Sequence, residues 1–380
     1  IARCGSYERA EVNAAVRRAL DCAGALENFV KPGSKVFVKP NLLLAADPSS
    51  ACTTHPEVLV AVIKQLQEIN CRVAFGDLPG SFYVANTKKV LRATRMDFVE
   101  KETGAELVQL EAQGFRDADV PDGRKMKLLH IPQYLDEFDA LVNVCKIKTH
   151  MQSLFTGAVK NMFGLVTTQD RIVAHRHSKY MDFAEALVDV FSVFRPVLNV
   201  ADAVVGMEGT GPSQGTPVKL GYVGASGDAV ALDTVAAEIM GIKSREVGTI
   251  EAARRRGLGQ GRMKDIRLEG DPVEPLVQKV KRPSSAVFRL APVFSGAMTE
   301  MTTVRPRIDK EKCKKCNTCV AACPNDAIRT SGKHYWIDDA RCLVCFCCHE
   351  LCPHDAVGLK KPLLVKMAEA FSGTRRGRAG

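Results

Sequence analysis

Apolar and polar residues follow two different periods along the first 270 residues. Over residues 8–29, apolar side chains recur every three to four positions, which predicts an amphipathic helix. Residues 35–38 form a short apolar run that is typical of a buried strand. Residues 54–57 combine a capping box with a proline at the first helical position, so a second helix should begin there and extend to about residue 70.

The alternation of strands and helices continues to about residue 240. The pattern predicts strands at residues 72–75, 140–144 and 197–205, and helices at residues 183–194 and 229–240. Interleaved strands and helices favour an α/β fold, in which helices cover both faces of a largely parallel sheet. We therefore predict an α/β domain over residues 1–270, with ligands bound beyond the carboxyl ends of its strands.

The periodicity stops near residue 271, where prolines begin to interrupt the chain. We predict a connector over residues 271–305, in which the apolar residues 287–294 pack against another part of the protein. A small cysteine-rich domain is expected over residues 306–360, followed by a basic C-terminal tail at residues 361–380.

The composition narrows the class of protein. The chain has 46% hydrophobic and 25% charged residues, as expected of a globular protein, and it lacks the run of about 18 apolar residues that a transmembrane segment needs. Nine of the 14 cysteines fall between Cys313 and Cys352. Such a concentration indicates metal binding rather than a disulfide framework. Because these thiols must stay reduced, we expect the protein in the cytoplasm.

The clustered cysteines form a sequence repeat. The pattern Cys-x2-Cys-x2-Cys-x3-Cys-Pro occurs at residues 313–324, here called repeat one, and again at residues 342–353, called repeat two. This is the spacing of bacterial ferredoxins, in which the fourth cysteine of each run binds the other cluster. Two structural zinc sites are the alternative, but such sites usually pair two short hooks across a longer gap.

The repeat therefore predicts a small α+β ferredoxin-like domain with two [4Fe–4S] clusters. The expected ligands of cluster one are Cys313, Cys316, Cys319 and Cys352, and those of cluster two are Cys342, Cys345, Cys348 and Cys323. Cys347 is left over beside a ligand. Two adjacent clusters favour electron transfer, so an electron donor or acceptor protein is an expected partner.

The basic net charge of the chain becomes smaller once the charges of the two expected clusters are included. The formal net charge is +10, and residues 305–380 contain 15 Lys and Arg against 8 Asp and Glu. An oxidised cluster with four thiolates carries roughly −2, so two clusters offset part of this excess. The chain also carries no recognised nucleic-acid-binding motif, and we expect no nucleic-acid partner.

Polar motifs follow the predicted strands of the first domain. They are Lys-Pro-Asn at residues 39–41, Thr-Thr-His-Pro-Glu-Val at 53–58, Gly-Asp-Leu-Pro-Gly at 76–80, Lys-Ile-Lys-Thr-His at 146–150, the stretch 156–165, Gly-Met-Glu-Gly-Thr-Gly-Pro at 206–212 and Gly-Asp at 227–228. With these motifs, residues 30–235 resemble the DUF362 family, a domain of unassigned function that is often fused to a ferredoxin module. The resemblance implies the architecture but names no reaction. Cys145 departs from it, because a proline or a small residue is expected there.

The same motifs predict a cleft for an anionic ligand. Lysines and amides at strand ends suit carboxylate or phosphate groups, and the expected binding residues are Lys39, Asn41, Lys146, Lys160, Asn161 and Arg171. The expected catalytic residues are Lys148, His150, Asp77 and His175. Arg171, His175 and His177 are also candidates for a lid. Polar residues after strands often serve only as turn formers and helix caps, and this structural role is the alternative for each of them.

Three functions fit these features. The first is an iron–sulfur oxidoreductase whose clusters pass electrons to or from an anionic substrate or second cofactor in the α/β domain. The second is a non-catalytic electron-transfer protein that docks to a redox complex. The third is a carrier of a cluster or metal in cofactor maturation, for which Cys347 and Cys145 would supply extra thiols.

Overall fold

An eight-stranded sheet forms the centre of the α/β domain in the computed structural model, which describes residues 1–80, 87–283, 303–332, 334–363 and 365–367. The strands of this sheet are β1 (Ala2–Arg3), β2 (Lys35–Lys39), β3 (Arg72–Phe75), β4 (Glu106–Leu107), β7 (Ala140–His150), β8 (Leu154–Thr156), β9 (Leu198–Glu208) and β10 (Thr216–Ser226). A separate hairpin is formed by β5 (Phe115–Asp119) and β6 (Leu128–Pro132). The apolar residues 287–294 and residues 368–380 of the basic tail lie outside the described residues.

The centre of the sheet is parallel and one edge is antiparallel. Strands β4, β3, β2, β7 and β9 are neighbours in that order and pair in parallel. Strand β10 then pairs antiparallel with β9, and β1 pairs antiparallel with β10. The predicted largely parallel α/β sheet is thus confirmed.

Helices cover both faces of the sheet. They are α1 (Arg9–Ala23), α2 (Pro56–Glu68), α3 (Thr87–Ala93), α4 (Met96–Thr103), α5 (Ala158–Asn161), α6 (Thr168–Arg176), α7 (Tyr180–Phe194), α8 (Ala229–Ile239) and α9 (Gly248–Arg255). Alternate residues of β2 pack on opposite sides, because Phe37 belongs to one buried apolar cluster while Val36 and Val38 belong to another. None of the helices among the described residues has the length and apolar character needed to cross a membrane.

The end of helix α1 and the cap of helix α2 differ from the sequence prediction, whereas helix α2 begins at Pro56 as predicted. Helix α1 ends at Ala23 rather than near residue 29, because Gly24 adopts a positive φ of 121° that ends the helix. Helix α2 is capped by the side chain of His55, which accepts a hydrogen bond from the backbone N–H of Glu57. The predicted capping box is therefore wrong: the Thr54 hydroxyl instead donates to the carbonyl of Val144 over 2.8 Å.

The strands that carry the polar motifs are longer than predicted. Strand β7 was expected to end at residue 144, but it continues to His150 because β8 folds back and pairs antiparallel with its last three residues. Strand β9 likewise continues to Glu208, since β10 pairs with its whole length. Lys146, Lys148 and His150 therefore lie within a strand and not in the loop after it.

Residues 305–360 form a small unit here called the cysteine module. It contains the two-stranded sheets β11 (Arg305–Ile308) with β14 (Val357–Lys360) and β12 (Ile328–Ser331) with β13 (His334–Ile337), and the one-turn helices α10 (Thr318–Ala321) and α11 (Cys347–Glu350). Each short helix begins within one cysteine repeat. This small strand-and-helix region follows the α/β domain, as the sequence predicts.

Candidate functional site

A cavity lies between the α/β domain and the cysteine module. It has a volume of about 90 Å³, which is room for roughly six water molecules. Its polar walls from the α/β domain are Asn41, Asp77, Lys148, His150, Thr156, Lys160, Asn161, Arg171 and His175. The cysteine module contributes Cys347, Glu350 and Leu351. We call this space the interdomain cavity.

Two of the predicted ligand-binding lysines form buried ion pairs with aspartates of the α/β domain. The Nζ atom of Lys39 lies 2.7 Å from Oδ1 of Asp77, and both side chains are fully buried. Lys146 forms a similar buried ion pair with Asp202 over 2.9 Å and donates to the hydroxyl of Tyr7. Neither lysine lines the cavity, so their role in ligand binding stays a prediction.

Lys148 and Lys160 line the interdomain cavity, and among the described residues neither has a carboxylate within ion-pair distance. Lys148 donates to the carbonyl of Cys52 over 2.5 Å, and burial lowers its pKa to about 7. Lys160 lies over the ring of Phe163, with 5.4 Å between Nζ and the ring centroid. Burial lowers the pKa of Lys160 to about 8, while the charge of Glu350 opposes the shift. A bound anion would favour the charged form of both amines.

The two histidines of the cavity present different ring atoms. His150 accepts hydrogen bonds at Nδ1 from the backbone N–H groups of Gln152 and Ser153, which leaves the proton on Nε2 in the neutral ring. That Nε2 atom lies 3.7 Å from Oε1 of Glu350. His150 therefore connects the last residue of β7 to the cysteine module.

His175 has the opposite arrangement. Its Nδ1 lies 2.7 Å from the carbonyl oxygen of Arg171, which can only accept, so Nδ1 carries the proton. The ring packs against Phe163 and Phe183, and burial lowers its pKa to about 4. At neutral pH, His175 is thus a neutral ring whose Nε2 can accept a hydrogen bond.

Arg171 and Asn161 hold the wall of the cavity together. The guanidinium of Arg171 donates to the carbonyls of Leu78, Pro79 and Gly164 over 2.8 to 3.1 Å, so it fastens the loop after β3 to the turn after α5. Asn161 donates to Oδ1 of Asn143 over 2.8 Å within the buried layer below. This fixed position of Arg171 does not resemble a lid.

Apart from the carboxylate oxygens of Asp77 and Glu350, which lie in ion pairs, three polar atoms of cavity-lining residues are buried without a hydrogen-bond partner in the described part of the chain. They are Oδ1 of Asn41, Oγ1 of Thr156 and Nε of Arg171. Buried polar atoms are nearly always paired in folded proteins. All three atoms belong to side chains that line the interdomain cavity.

The two cysteine repeats have the same local backbone. Positive φ angles occur at Lys315, Asn317 and Asp326 in repeat one, and at Val344, Phe346 and Asp355 in repeat two. Each member of the second set follows its counterpart by 29 residues, the same offset as between Cys313 and Cys342. The duplication seen in the sequence is thus a duplication of structure.

The cysteines assigned to each cluster surround separate cavities. One cavity is lined by Cys313, Cys316, Cys319 and Cys352, and the other by Cys323, Cys342, Cys345 and Cys348, together with Cys347. The backbone N–H of Ala327 donates to Sγ of Cys323 over 3.1 Å, and that of Ala356 donates to Sγ of Cys352 over 3.2 Å. Such N–H groups stabilise thiolates, so the residues present fit cluster ligation. Among the described residues, no group of three His, Cys, Asp or Glu side chains is arranged around a single metal ion.

Repeat two and the last residue of repeat one contact the α/β domain. Ser213 and Gln214 donate to the backbone carbonyls of Glu350 and His349, over 2.8 and 2.9 Å. Arg176 donates to the carbonyl of Pro324, which follows Cys323, an expected ligand of cluster two. The cavity assigned to cluster two therefore lies on the side of the module that faces the α/β domain.

Sequence reasoning missed three residues that line the interdomain cavity. Thr156 belongs to the motif at 156–165 but is not among the predicted site residues, and Glu350 carries no signal because it lies among cysteines. Cys347 is predicted as a spare thiol that could help to carry a cluster, and the structure shows that it lines both the interdomain cavity and the cavity assigned to cluster two. The unusual Cys-Cys pair at 347–348 was the one available signal.

Comparisons with known proteins agree with this organisation. A family model described as a domain of unknown function, DUF362, matches residues 36–238, and one described as a 4Fe-4S binding domain matches residues 306–329. A thylakoid-associated protein of Synechocystis sp. is 32% identical over 258 residues, which cover 67% of this chain and 78% of that protein. The solved lactate racemase apoprotein of Thermoanaerobacterium thermosaccharolyticum is similar with a TM-score of 0.42 and 17% identity, over 63% of this chain and 56% of the racemase chain.

Proposed function

This chain belongs to the DUF362 family and carries a 4Fe-4S binding domain after it, and from that premise we propose that it is an iron–sulfur oxidoreductase. Two [4Fe–4S] clusters would pass electrons to or from a small anionic substrate or second cofactor held in the interdomain cavity. The observation that carries this proposal is that side chains of both the α/β domain and the cysteine module line that cavity. Lys148 and Lys160 come from the α/β domain, whereas Cys347 and Glu350 come from the module.

The position of Cys347 brings the ligand and the cluster-two thiols close together. The two cavities share this one side chain as a wall, so only a thin layer of protein separates them. A [4Fe–4S] cluster supplies one-electron transfer when it is bound. A ligand against Cys347 would therefore lie next to the electron source without binding iron itself.

The remaining side chains bind and orient the ligand. Lys148 and Lys160 supply positive charge, and the three unpartnered atoms of Asn41, Thr156 and Arg171 supply hydrogen bonds. His175 offers an acceptor at Nε2 for a ligand proton, whereas the Nε2 of His150 faces Oε1 of Glu350. The catalytic role of Asp77 stays a prediction, since its carboxylate accepts from Lys39 and from the backbone N–H of Leu42.

The other two functions receive less support from the geometry. A carrier of clusters needs thiols that a recipient can reach, but Cys145 is fully buried and Cys347 is 4% exposed. A purely docking protein would need no lined cavity with unpartnered polar atoms. We also propose a cytoplasmic location, because the cysteines must stay reduced for cluster binding.

Anaerobic purification followed by mass spectrometry of the small molecules released from the protein tests this function. We expect an anionic compound that accompanies the wild type and that is lost from the Lys148→Met and Lys160→Met variants, while visible absorption shows both clusters retained. The same compound should change the redox state of the clusters when added to the protein. Retention of the compound in both variants would place its site elsewhere and reject the cavity.

A further inference from the structure

Repeat one presents an exposed basic loop on the module. Four lysines of this loop are exposed: Lys310, Lys312, Lys314 and Lys315. Cys316, an expected cluster ligand that follows Lys315 directly, is exposed as well. An exposed ligand means that the cavity assigned to cluster one lies close to solvent. A redox partner can approach a cluster here without any opening of the protein.

The acidic residues of the same loop do not cancel its charge. Segment 309–317 contains four lysines against Asp309 and Glu311. The carboxylate of Asp309 is turned back onto the chain, where it accepts from the backbone N–H groups of Glu311 and Lys312 over 2.9 and 3.4 Å. The lysine side chains can extend away from the loop, because their long stems carry the charge outward.

This loop lies at the outer end of the expected electron path, which runs from an external partner through cluster one and cluster two to the interdomain cavity. Repeat two contacts the α/β domain, so the cavity assigned to cluster two lies beside the interdomain cavity. The cavity assigned to cluster one is lined by the exposed loop of repeat one. An external partner therefore reaches cluster one first, and the ligand reaches cluster two first.

We propose that the loop of residues 310–317 is the docking surface for a small acidic electron-transfer protein, an inference that rests on the proposed function. Carboxylates around the partner's redox centre would pair with the lysines, which raises the association rate and orients the partner's centre towards Cys316. Each encounter moves one electron: the partner is oxidised by one electron and the protein is reduced by one, or the reverse. No covalent bond forms and no proton has to move.

The chain offers a matched pair of variants for the test. Lys314 and Lys315 form an exposed Lys-Lys pair in the docking loop, and Lys88 and Lys89 form another exposed pair in helix α3. Lys314→Glu/Lys315→Glu and Lys88→Glu/Lys89→Glu therefore change the net charge by the same amount at two different places. Lys310→Glu/Lys312→Glu lies before the first cysteine and serves as a second docking variant if the first binds iron poorly.

The probe is a small, strongly acidic [2Fe–2S] ferredoxin, and the readout is its association rate with the iron-loaded protein in low and high salt. We expect a loss of at least about tenfold for both docking-loop variants at low salt, less than about twofold for the Lys88/Lys89 variant, and a small difference at high salt. Visible absorption confirms the clusters in each variant. Equal rates for the docking variants and the wild type would overturn the proposal, as would equal losses in all three variants.

Failure of this docking surface can be told apart from failure of the proposed function. Sodium dithionite is small and needs no docking surface, so it should reduce the wild type and the docking variants at the same rate. A normal response of the clusters to the cavity ligand together with unchanged ferredoxin association would reject the docking surface alone. Weakened association without any ligand in the cavity would reject the proposed function alone.

Discussion

The two cysteine repeats share one backbone geometry but have opposite surroundings. Between the first two cysteines, repeat one has Lys314 and Lys315, whereas repeat two has Leu343 and Val344. After the second cysteine, repeat one has exposed Asn317, whereas repeat two has Phe346, which is 1% exposed. The spacing of the thiols is set by the cluster, so only the residues between them are free to differ. These residues make one loop a surface and the other an interface.

The interface of repeat two also closes the interdomain cavity. Phe346 packs with Met151, the residue that follows His150 at the end of β7. Three residues of the same module, Cys347, Glu350 and Leu351, then form one wall of the cavity. The docking of the module against the α/β domain therefore also completes the wall of the interdomain cavity.

Loss of a cluster ligand should have the largest effect, and it should differ between the repeats. Cys319 and Cys348 occupy equivalent positions, and Cys348 is buried whereas Cys319 is partly exposed. We expect Cys319→Ser and Cys348→Ser each to lower iron from about eight to about four per chain. Only Cys348→Ser should also release the ligand from the interdomain cavity. Iron analysis and mass spectrometry of the released compound measure both effects.

If Cys319→Ser also released the ligand, the assignment of cluster two to the cavity side would be contradicted. Removal of iron by a chelator is a companion measurement on the wild type. It should abolish visible absorption and ligand retention together.

Exchange of the residue after the second cysteine tests the interface next. Phe346→Asn should cost about 3 kcal/mol of unfolding free energy, because it removes a buried aromatic side chain. Asparagine tolerates the positive φ at this position, so the loss would report packing rather than backbone strain. The reciprocal Asn317→Phe should cost about 1 to 2 kcal/mol, through loss of the hydrogen bond from Tyr335 and through the strain of a phenylalanine at the positive φ of this position. Anaerobic urea denaturation compares the two, and equal costs would refute the difference in burial.

The burial of the cavity lysines predicts a pH dependence. Burial lowers the pKa of Lys148 to about 7, so between pH 7 and about 10 the unfolded chain binds more protons at this residue than the folded one. Stability of the wild type should therefore rise with pH in this window, by as much as about 1.4 kcal/mol per unit from Lys148. Lys148→Met lacks this contribution. Its stability relative to the wild type should fall by about 2 kcal/mol from pH 7 to pH 9, and a constant difference would mean that Lys148 is not buried.

Replacement of Cys347 should have the smallest effect on the clusters. Thr318 is its counterpart in repeat one, so Cys347→Thr gives repeat two the residue that repeat one already tolerates. We expect about eight iron atoms per chain and unchanged signals of both reduced clusters by electron paramagnetic resonance. The disappearance of one signal would show that Cys347 is a ligand and that the assignment of Cys348 is wrong.

The sequence predicts four strands of the main sheet, four of the longest helices and the cysteine module, because these depend on short-range patterns. The thiol spacing alone separated eight cysteines into two sets that line two cavities. The role of each lysine was not predictable in the same way. Lys39 and Lys146 are neutralised by Asp77 and Asp202, which lie 38 and 56 residues further along the chain. Only the folded sheet brings these partners together.

The residues that the module contributes to the cavity wall could not be predicted from the sequence either. Glu350 follows a ligand cysteine by two residues, yet its position in the cavity depends on how the module docks. That docking rests on Phe346 and on contacts from Ser213 and Gln214, more than 130 residues earlier. Long-range packing of this kind leaves no local pattern in the sequence.

Anomalous X-ray scattering from anaerobic crystals, measured at the iron and zinc absorption edges, tests the central claim most directly. The account predicts two compact iron peaks, one among Cys313, Cys316, Cys319 and Cys352 and the other among Cys323, Cys342, Cys345 and Cys348. The second peak should lie behind Cys347, next to the interdomain cavity. A single iron peak, a zinc signal at either set of cysteines, or an iron peak inside the interdomain cavity would contradict it.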